Sequence, residues 1–558
     1  MRLSHQLAAV LASYATTPLA LGKSFQSTPV MGWNSYNQVA CSPNDSVIAS
    51  AISSLADRGF VDAGYRYLQV DCGWASRDQQ RNSSTKALKI DLDAFPDGLQ
   101  HLSDLARSKG MIWSMYSDAG TRMCDTEVPS PVLGSLGNEA ADAELFKSLG
   151  TAYVKYDNCY VDGPDASQNA PKDARPDFVS RFTTMWDALQ EVGIDGMLIC
   201  QWGVPFSTDS GLQGPDKWSR EISTSFRLSD DIATGWDNVY RIYNQAVHIA
   251  RSGLIGPGHI ADADLLEVGN PGMTDVEQET HFAIWAMLKS ALMISTDVSA
   301  LSDSAVSVLQ NPGLIAINQD AAVKPVELVQ RYTSDHDIWR GDLANGDLAV
   351  LVVDLSNETR TLGLDLSEIG LSSATVLNLW NNQTIDDATS FSAQVSGHGS
   401  LALRLSNVQP SSASAPSYNY VAFETGTLTD GANIQPCSGC ASSSKVGGIG
   451  GSSGGKVVLS NIRTSQATQN VIFDYINGDV GYLGGSNNER LASVSVSGGA
   501  VQTVSFPLSG YNWDTDVYRG YSVELSGFST DSANNITVSG SGSGTDPAPQ
   551  FDRIGIVA

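Results

Sequence analysis

Basic residues are scarce in this 558-residue chain: 33 Lys and Arg stand against 60 Asp and Glu, a net charge of −27. A surface of that sign repels nucleic acid, anionic membranes and phosphate-rich ligands, and it favours neutral partners. The chain also lacks any apolar run of the roughly 18 or more residues that a membrane-crossing helix needs. Its seven histidines include no His-x-x-x-His pair. A metal centre built on Asp262 and Asp264 would therefore lack its usual companions, since no Cys-x-x-Cys pair lies nearby either. No Gly-x-Ser-x-Gly elbow stands at a strand-to-helix turn, as a Ser-His-Asp hydrolase would require. The first strand-to-helix turn has no phosphate-binding glycine fingerprint, which argues against a dinucleotide fold. Cysteines number seven, so at least one is unpaired.

What is present suits a large multi-domain protein. A hydrophobic content of 42% over this length supports two or three cores. The opening "MRLSHQLAAVLASYATTPLALG" has an early Arg, a modest apolar stretch and a small-residue end, as a secretory signal does, so residues 1–22 are expected to be removed and the mature chain to start near Lys23. Acceptor sequons for N-glycosylation at Asn44, Asn82, Asn357, Asn382 and Asn535 agree with export. An exported chain would hold its cysteines under oxidising conditions.

Behind the leader one pattern recurs. "LSDLARSKGMIWSMYSD" is an amphipathic helix closed by Lys109-Gly110, then an apolar run, then Asp118. "AELFKSLGTAYVKYD" repeats it and ends on Asp157, "WDALQEVGIDGMLICQ" ends on Gln201, and "ISSLADRGFVDAGYRYLQVD" ends on Asp71. With "PVMGWN" before them and "EISTSFRLSDD", "GHIADAD" and "LMIST" after, eight strands alternate with helices before about residue 300. That count predicts an α/β fold, a parallel (β/α)8 barrel over residues 23–322, rather than an open doubly wound sheet.

In such a barrel the C-terminal strand ends share one pocket, so Asp71, Asp118, Asp157, Gln201, Asp231 and Asp264 are expected to converge. Several carboxylates, aromatics at strand ends (Trp33, Tyr36, Trp74, Tyr116, Trp202) and no histidine cluster point to sugar chemistry. Glycosidic hydrolysis needs two carboxyl groups flanking the anomeric carbon, and flat rings stack on sugars.

The ordered motifs "TPVMGWNSYN", "YLQVDCGW", "YSDAGTRMC", "VKYDNC", "CQWG", "FRLSDD", "DADLLEVGNPG" and "IAINQD" resemble glycoside hydrolase family 27, the secreted α-galactosidases, over about three hundred residues. The resemblance implies a retaining exo-glycosidase acting on terminal α-linked galactose, with no catalytic cofactor and with galactose- or arabinopyranose-containing plant glycans as substrates. It makes Asp157 the nucleophile and Asp231, in Arg-x-x-x-Asp, the acid/base, with Asp230 an adjacent rival. Lys155, on the same strand face as Asp157, would keep that carboxylate ionised. Trp33, Tyr36, Asp71, Tyr116, Cys200, Gln201, Trp202, Arg227 and Asp264 would complete the pocket, and Cys124–Cys159 would brace its rim.

Two positions depart from the family. Many relatives have a second aspartate where this chain has Cys72. Either Cys72 lines a pocket that has lost a carboxylate, which would admit β-L-arabinopyranosidase activity, or it pairs with Cys41 and leaves Cys200 as the odd thiol. Gln201 stands where many α-galactosidases have Glu, and its bulk disfavours an N-acetyl group. A sugar-binding protein without the chemistry would be marked by loss of a catalytic carboxylate, and both are present.

Beyond the barrel, alternating runs with Asn-Gly and Asn-Asn turns predict an antiparallel β-sandwich over 323–407, then a Pro/Ser/Ala linker at 408–416. The Gly/Ser/Thr/Val-rich remainder, 417–558, predicts a second β-sandwich. Its "YVAFETGTL" and "FDRIGIV" resemble a family 35 carbohydrate-binding module, which implies a calcium ion near Glu424 and Asp552. Cys437 and Cys440 are expected to close a small disulfide loop.

Overall fold

The computed structural model describes residues 25–125, 132–160, 178–200, 214, 218–412, 416–481, 484–542 and 546–557. The expected leader lies outside these residues, as do Gln201 and Trp202.

The barrel is built by the repeated unit visible in the sequence. Helix Gln100–Ser108 is followed by Lys109, and Gly110 then takes φ 83°, a left-handed turn open to glycine without strain, which returns the chain as a strand. Gly150 does the same at φ 74° after helix Glu139–Ser148. The strands are β1 (Met31–Asn34), β2 (Tyr67–Val70), β3 (Ile112–Asp118), β4 (Tyr153–Asp157), β5 (Gly196–Ile199), β6 (Ser225–Arg227), β7 (Ile260–Asp262) and β8 (Leu292–Ile294). They pair in parallel in the order β7-β6-β5-β4-β3-β2-β1-β8. A parallel bridge between Leu266 and Ile294, with Leu266 N–H donating to the Met293 carbonyl at 2.8 Å, joins the two ends and closes the barrel.

Antiparallel strands between Glu327 and Pro410 form a six-stranded sheet and a two-stranded ribbon that share a core of Val350, Leu362, Phe391 and Leu403. The last strand runs to Pro410, three residues past the expected boundary at Asn407, because Gln409 and Pro410 still pair with Ser373 and Leu371. Strands between Tyr418 and Val557 form sheets of six and five around Phe423, Phe473, Phe506 and Phe551. Among the described residues no helix is long and apolar enough to cross a membrane.

Of the sequon asparagines, Asn82, Asn357, Asn382 and Asn535 are exposed. Asn44 is half-buried and caps helix Asp45–Asp57, its Oδ1 accepting the Val47 N–H at 3.1 Å.

Candidate active site

Four of the six expected carboxyl or amide positions meet at the C-terminal end of the barrel. Asp71, Asp157, Asp231 and Asp264 line one cavity with Tyr36, Tyr116, Lys155 and Arg227. The Cys124–Cys159 disulfide forms part of its wall.

Asp157 ends β4 and is 7% exposed. Its Oδ1 accepts the Asn158 N–H at 2.9 Å and its Oδ2 accepts the Tyr116 hydroxyl at 3.1 Å. Burial raises the Tyr116 phenol well above its ordinary range, so it remains a donor. The Lys155 charge favours the ionised form of Asp157, as expected, but burial outweighs it. Burial raises the Asp157 pKa above 3.8; Lys155, the Asn158 N–H and Arg227 pull it down without reversing the shift. Lys155 makes its direct ion pair with Asp71, its Nζ 2.8 Å from Asp71 Oδ2.

Asp71 follows β2 and is 1% exposed. Oδ2 also accepts from Asn34 Nδ2 at 2.6 Å, and Oδ1 accepts the Cys72 N–H at 2.9 Å. The Lys155 ammonium lies 5.2 Å from the Tyr116 ring centre and 5.8 Å from that of Tyr36, between two faces that favour a cation.

Arg227 ends β6 and its side chain is 2% exposed. Nη2 lies 2.9 Å from Asp231 Oδ1 and 2.6 Å from Asp264 Oδ2, while Nη1 points at Cys200 Sγ at 3.4 Å. Asp264 sits at φ 81°, a backbone conformation uncommon for a residue with a side chain. Several bonds hold it there: its N–H to Asp262 Oδ1, its Oδ1 from Leu265 N–H and its Oδ2 from Ile232 N–H, each 2.8 Å. Asp231 opens to the cavity mouth, with 38% of its side chain exposed. The rim still strips enough water to raise its carboxyl to about 7; Arg227 opposes that shift, and the charges of Asp264 and Asp157 add to it.

Several expected contacts are not made. Trp33 is fully buried, and its indole N–H donates to the Thr296 carbonyl at 2.9 Å; neighbouring Asn34 reaches Asp71, so strand alternation turns Trp33 away from the pocket. Trp74 is likewise core, donating to the Tyr116 carbonyl at 2.9 Å. Cys72 does not line the cavity but is bonded to Cys41, so the second of its two readings holds. Cys200 is the buried free thiol and lies beneath Arg227 rather than on the cavity wall. Asp118, whose Cα is in register with that of Asp157, is covered by the rim disulfide and accepts the N–H groups of Gly120 at 2.7 Å and Cys159 at 3.0 Å. It forms a close group with Cys124 and Cys159, but sulfurs in a disulfide are not thiolate ligands. Asp230, the rival acid, is buried against Arg241.

Sequence reasoning passed over Asn34 and Asn37. Asn34 ends β1 as Asp71 follows β2, so the strand-end rule contained it. Asn37 lines the cavity and donates to Glu267 Oε1 at 2.5 Å, 230 positions away, with no local signal. In the C-terminal domain, Cys437 and Cys440 are bonded, and Glu424 and Asp552 both accept from the stretch 441–444.

Residues 28–320 match the family profile described as "Alpha galactosidase A", and residues 333–405 that of the "Alpha galactosidase C-terminal beta sandwich domain". The chain is 36% identical over 409 residues to the "Probable alpha-galactosidase D" of Aspergillus niger, covering 72% of this chain and 60% of that protein; it thus spans under two thirds of that relative's length. Among solved structures, alpha-galactosidase I from Mortierella vinacea superposes with a TM-score of 0.62 at 28% identity, over 69% of this chain and 99% of its own. A β-L-arabinopyranosidase from Geobacillus stearothermophilus shares the fold at 18% identity and TM-score 0.58, over 70% of this chain and 98% of its own.

Proposed function

Because the chain belongs to the α-galactosidases of glycoside hydrolase family 27, we propose that it removes terminal α-linked galactose from oligo- or polysaccharides with retention of configuration. The observation that carries this reading is the contrast between two carboxylates in one cavity. Asp157 lies deep, fixed by two donors, while Asp231 stands at the mouth with a pKa near 7.

Asp157 attacks the anomeric carbon as Asp231 gives its proton to the departing glycosidic oxygen, which forms a glycosyl ester on Asp157. Asp231, now anionic, takes a proton from the water that hydrolyses the ester, and both groups return to their starting states. Asp71, held by Lys155 and Asn34, offers acceptor capacity to sugar hydroxyls, and Lys155 offers donors. Arg227 and Asp264 hold the acid/base in place.

Three disulfides suit an exported protein acting on extracellular glycans. The C-terminal domain is read as a carbohydrate-binding module. Asp552 Oδ1 is buried without a hydrogen-bond partner, which fits a cation; Asp552 and Glu424 would hold a calcium ion that braces the 441–444 stretch.

The test is a comparison of nitrophenyl α-galactoside, β-L-arabinopyranoside and N-acetyl-α-galactosaminide, with NMR of the first sugar anomer released. Fastest turnover of the galactoside with α-galactose appearing first supports the reading. Inverted product or preference for either other sugar overturns it.

A further inference from the structure

Helix Trp236–Arg251 follows the acid/base strand, and its outer face has an unusual property. Asn244, Gln245 and His248 are polar and lie at helical spacing, yet each is buried, with at most 9% exposure. On a barrel helix such a stripe would ordinarily meet water. Here it meets the C-terminal domain. Asn244 Nδ2 donates to the Asn487 carbonyl at 2.8 Å, Arg251 Nη2 to the Arg519 carbonyl at 3.0 Å, and the Arg251 guanidinium stacks 3.7 Å from the Tyr518 ring centre. A module tethered only by a flexible linker would not bury polar groups in this way, because each must find a partner across the interface.

Two further contacts lead to the acid/base. Tyr511 is 3% exposed; its hydroxyl accepts from Gln245 Nε2 at 3.0 Å and donates to the Leu228 carbonyl at 3.3 Å. Leu228 directly follows Arg227, three residues before Asp231. Asn488 is fully buried, and its Nδ2 donates to the Arg241 carbonyl at 2.9 Å and to Gln245 Oε1 at 3.3 Å. Arg241 in turn donates through Nη2 to the Asp231 carbonyl at 2.8 Å and pairs through Nη1 with Asp230. The segment Leu228–Asp231 is therefore held at its start by Tyr511 and at its end by Arg241, and the helical turn carrying Arg241 is held by Asn488.

We infer that the C-terminal domain is a positioning part of the catalytic unit, with Tyr511 and Asn488 fixing the segment that aims Asp231 at the glycosidic oxygen. This rests on the reading of Asp231 as the acid/base. Proton donation depends steeply on placement: a shift of about 1 Å can lower a rate on the order of 10²-fold. The loss falls unevenly across substrates. A nitrophenolate leaves without much protonation, whereas an alkoxide needs it.

The experiment uses the full chain with Tyr511→Phe, which removes one hydroxyl and keeps the ring edge-on to His248, and Asn488→Gly, which keeps a backbone at φ 58°. kcat/KM, which reports the glycosylation step, is measured on methyl α-galactoside and on nitrophenyl α-galactoside beside Asp231→Asn. Each domain variant should lose about tenfold on the methyl glycoside and less than about twofold on the nitrophenyl one, with galactose inhibition unchanged. A lowered Tm with an unchanged ratio between the two substrates, in variants whose Asp231→Asn control does change it, overturns the inference alone. An unchanged ratio in Asp231→Asn overturns the acid/base reading and this inference with it. Should Asn488→Gly not fold, Tyr511→Phe decides.

Discussion

Arg227 Nη2 lies 2.6 Å from Asp264 Oδ2 and 2.9 Å from Asp231, so one guanidinium ties the carboxylate at the cavity mouth to the carboxylate behind it. The proton on Asp231 is thereby set by a balance. Burial raises its affinity, Arg227 lowers it, and the charges of Asp264 and Asp157 raise it again, to about 7.

The first prediction follows from the sign of that balance. With Asp231 as the proposed general acid, which must be protonated, kcat/KM should fall as pH rises through about 7, where Asp231 loses its proton. Asp264→Asn removes a negative neighbour and frees Arg227 to face Asp231 alone, and both changes lower the pKa. The alkaline limb of the pH–rate profile should then move to lower pH. Asparagine tolerates the left-handed backbone at this position, so the effect should be read without gross distortion. A limb that stays in place or moves up would contradict the balance.

Asp157→Asn should lower turnover by roughly 10⁴-fold or more while galactose still binds, since the amide keeps the shape but cannot form the glycosyl ester. Asp231→Asn should differ in kind. With a nitrophenyl galactoside it should form the ester in a burst and then stall, because no base activates the water, and added azide should restore turnover. Rapid-quench mass spectrometry of the trapped ester, with its mass on the peptide containing Asp157, checks both.

The barrel and much of this site were legible because their signals are local. Helix, glycine and apolar strand recur within about twenty residues, and the strand-end rule then gathers Asp71, Asp157 and Asp264 without any long-range knowledge. Parity within four-residue strands was not legible. "MGWN" does not say whether Trp33 or Asn34 faces inward, and the packing of Asn34 against Gln69 and Asp71 decides it. Asp118 carries the same sequence signal as Asp157 and differs only because a disulfide covers it. The buried polar stripe of helix Trp236–Arg251 reads from sequence as a solvated face, and its partners lie some 240 or more residues later.

Stability should fall as pH rises from about 4 to about 7. Glu267 is 1% exposed; burial raises its pKa from 4.5 to about 7, with Asn270 and Asn37 opposing and Asp264 adding to the shift. Burial likewise raises Asp262 to about 6. Between the unfolded and folded values the native state binds more protons than the unfolded one, so stability present at pH 4 is lost on approach to pH 7, by at most about 1.4 kcal/mol per pH unit for each group. Glu267→Gln should flatten the slope of Tm against pH between about 5 and 7. A slope unchanged by that substitution would assign the effect elsewhere.

Thiol chemistry should separate the cysteines cleanly. The native protein should resist alkylation, and the denatured but unreduced protein should take one label, at Cys200. Replacing Cys124 and Cys159 together by serine should cost roughly 2–4 kcal/mol. It should also reduce activity, because both residues form part of the cavity wall and the bridge covers Asp118 beside Asp157.

The buried pair of Lys155 and Asp71 gives the last prediction, in which two substitutions in one ion pair move the acid limb of activity in opposite directions. Lys155 has 10% of its side chain exposed and Asp71 has 2%, so either partner left alone is a charge without compensation. Asp71→Asn removes the charged acceptor offered to sugar hydroxyls, a contact worth roughly 1.5–3 kcal/mol, and KM should rise about 10- to 100-fold. It also releases Lys155 to face Asp157. That lowers the pKa of Asp157, so the acid limb of activity should extend to lower pH. Lys155→Met acts in the opposite sense. It removes a charge that lowers the Asp157 pKa, so the acid limb should retreat to higher pH, and the stranded Asp71 should cost about 3–5 kcal/mol of stability. Shifts of the acid limb in the same direction for both variants would show that Lys155 does not act on Asp157 through its charge.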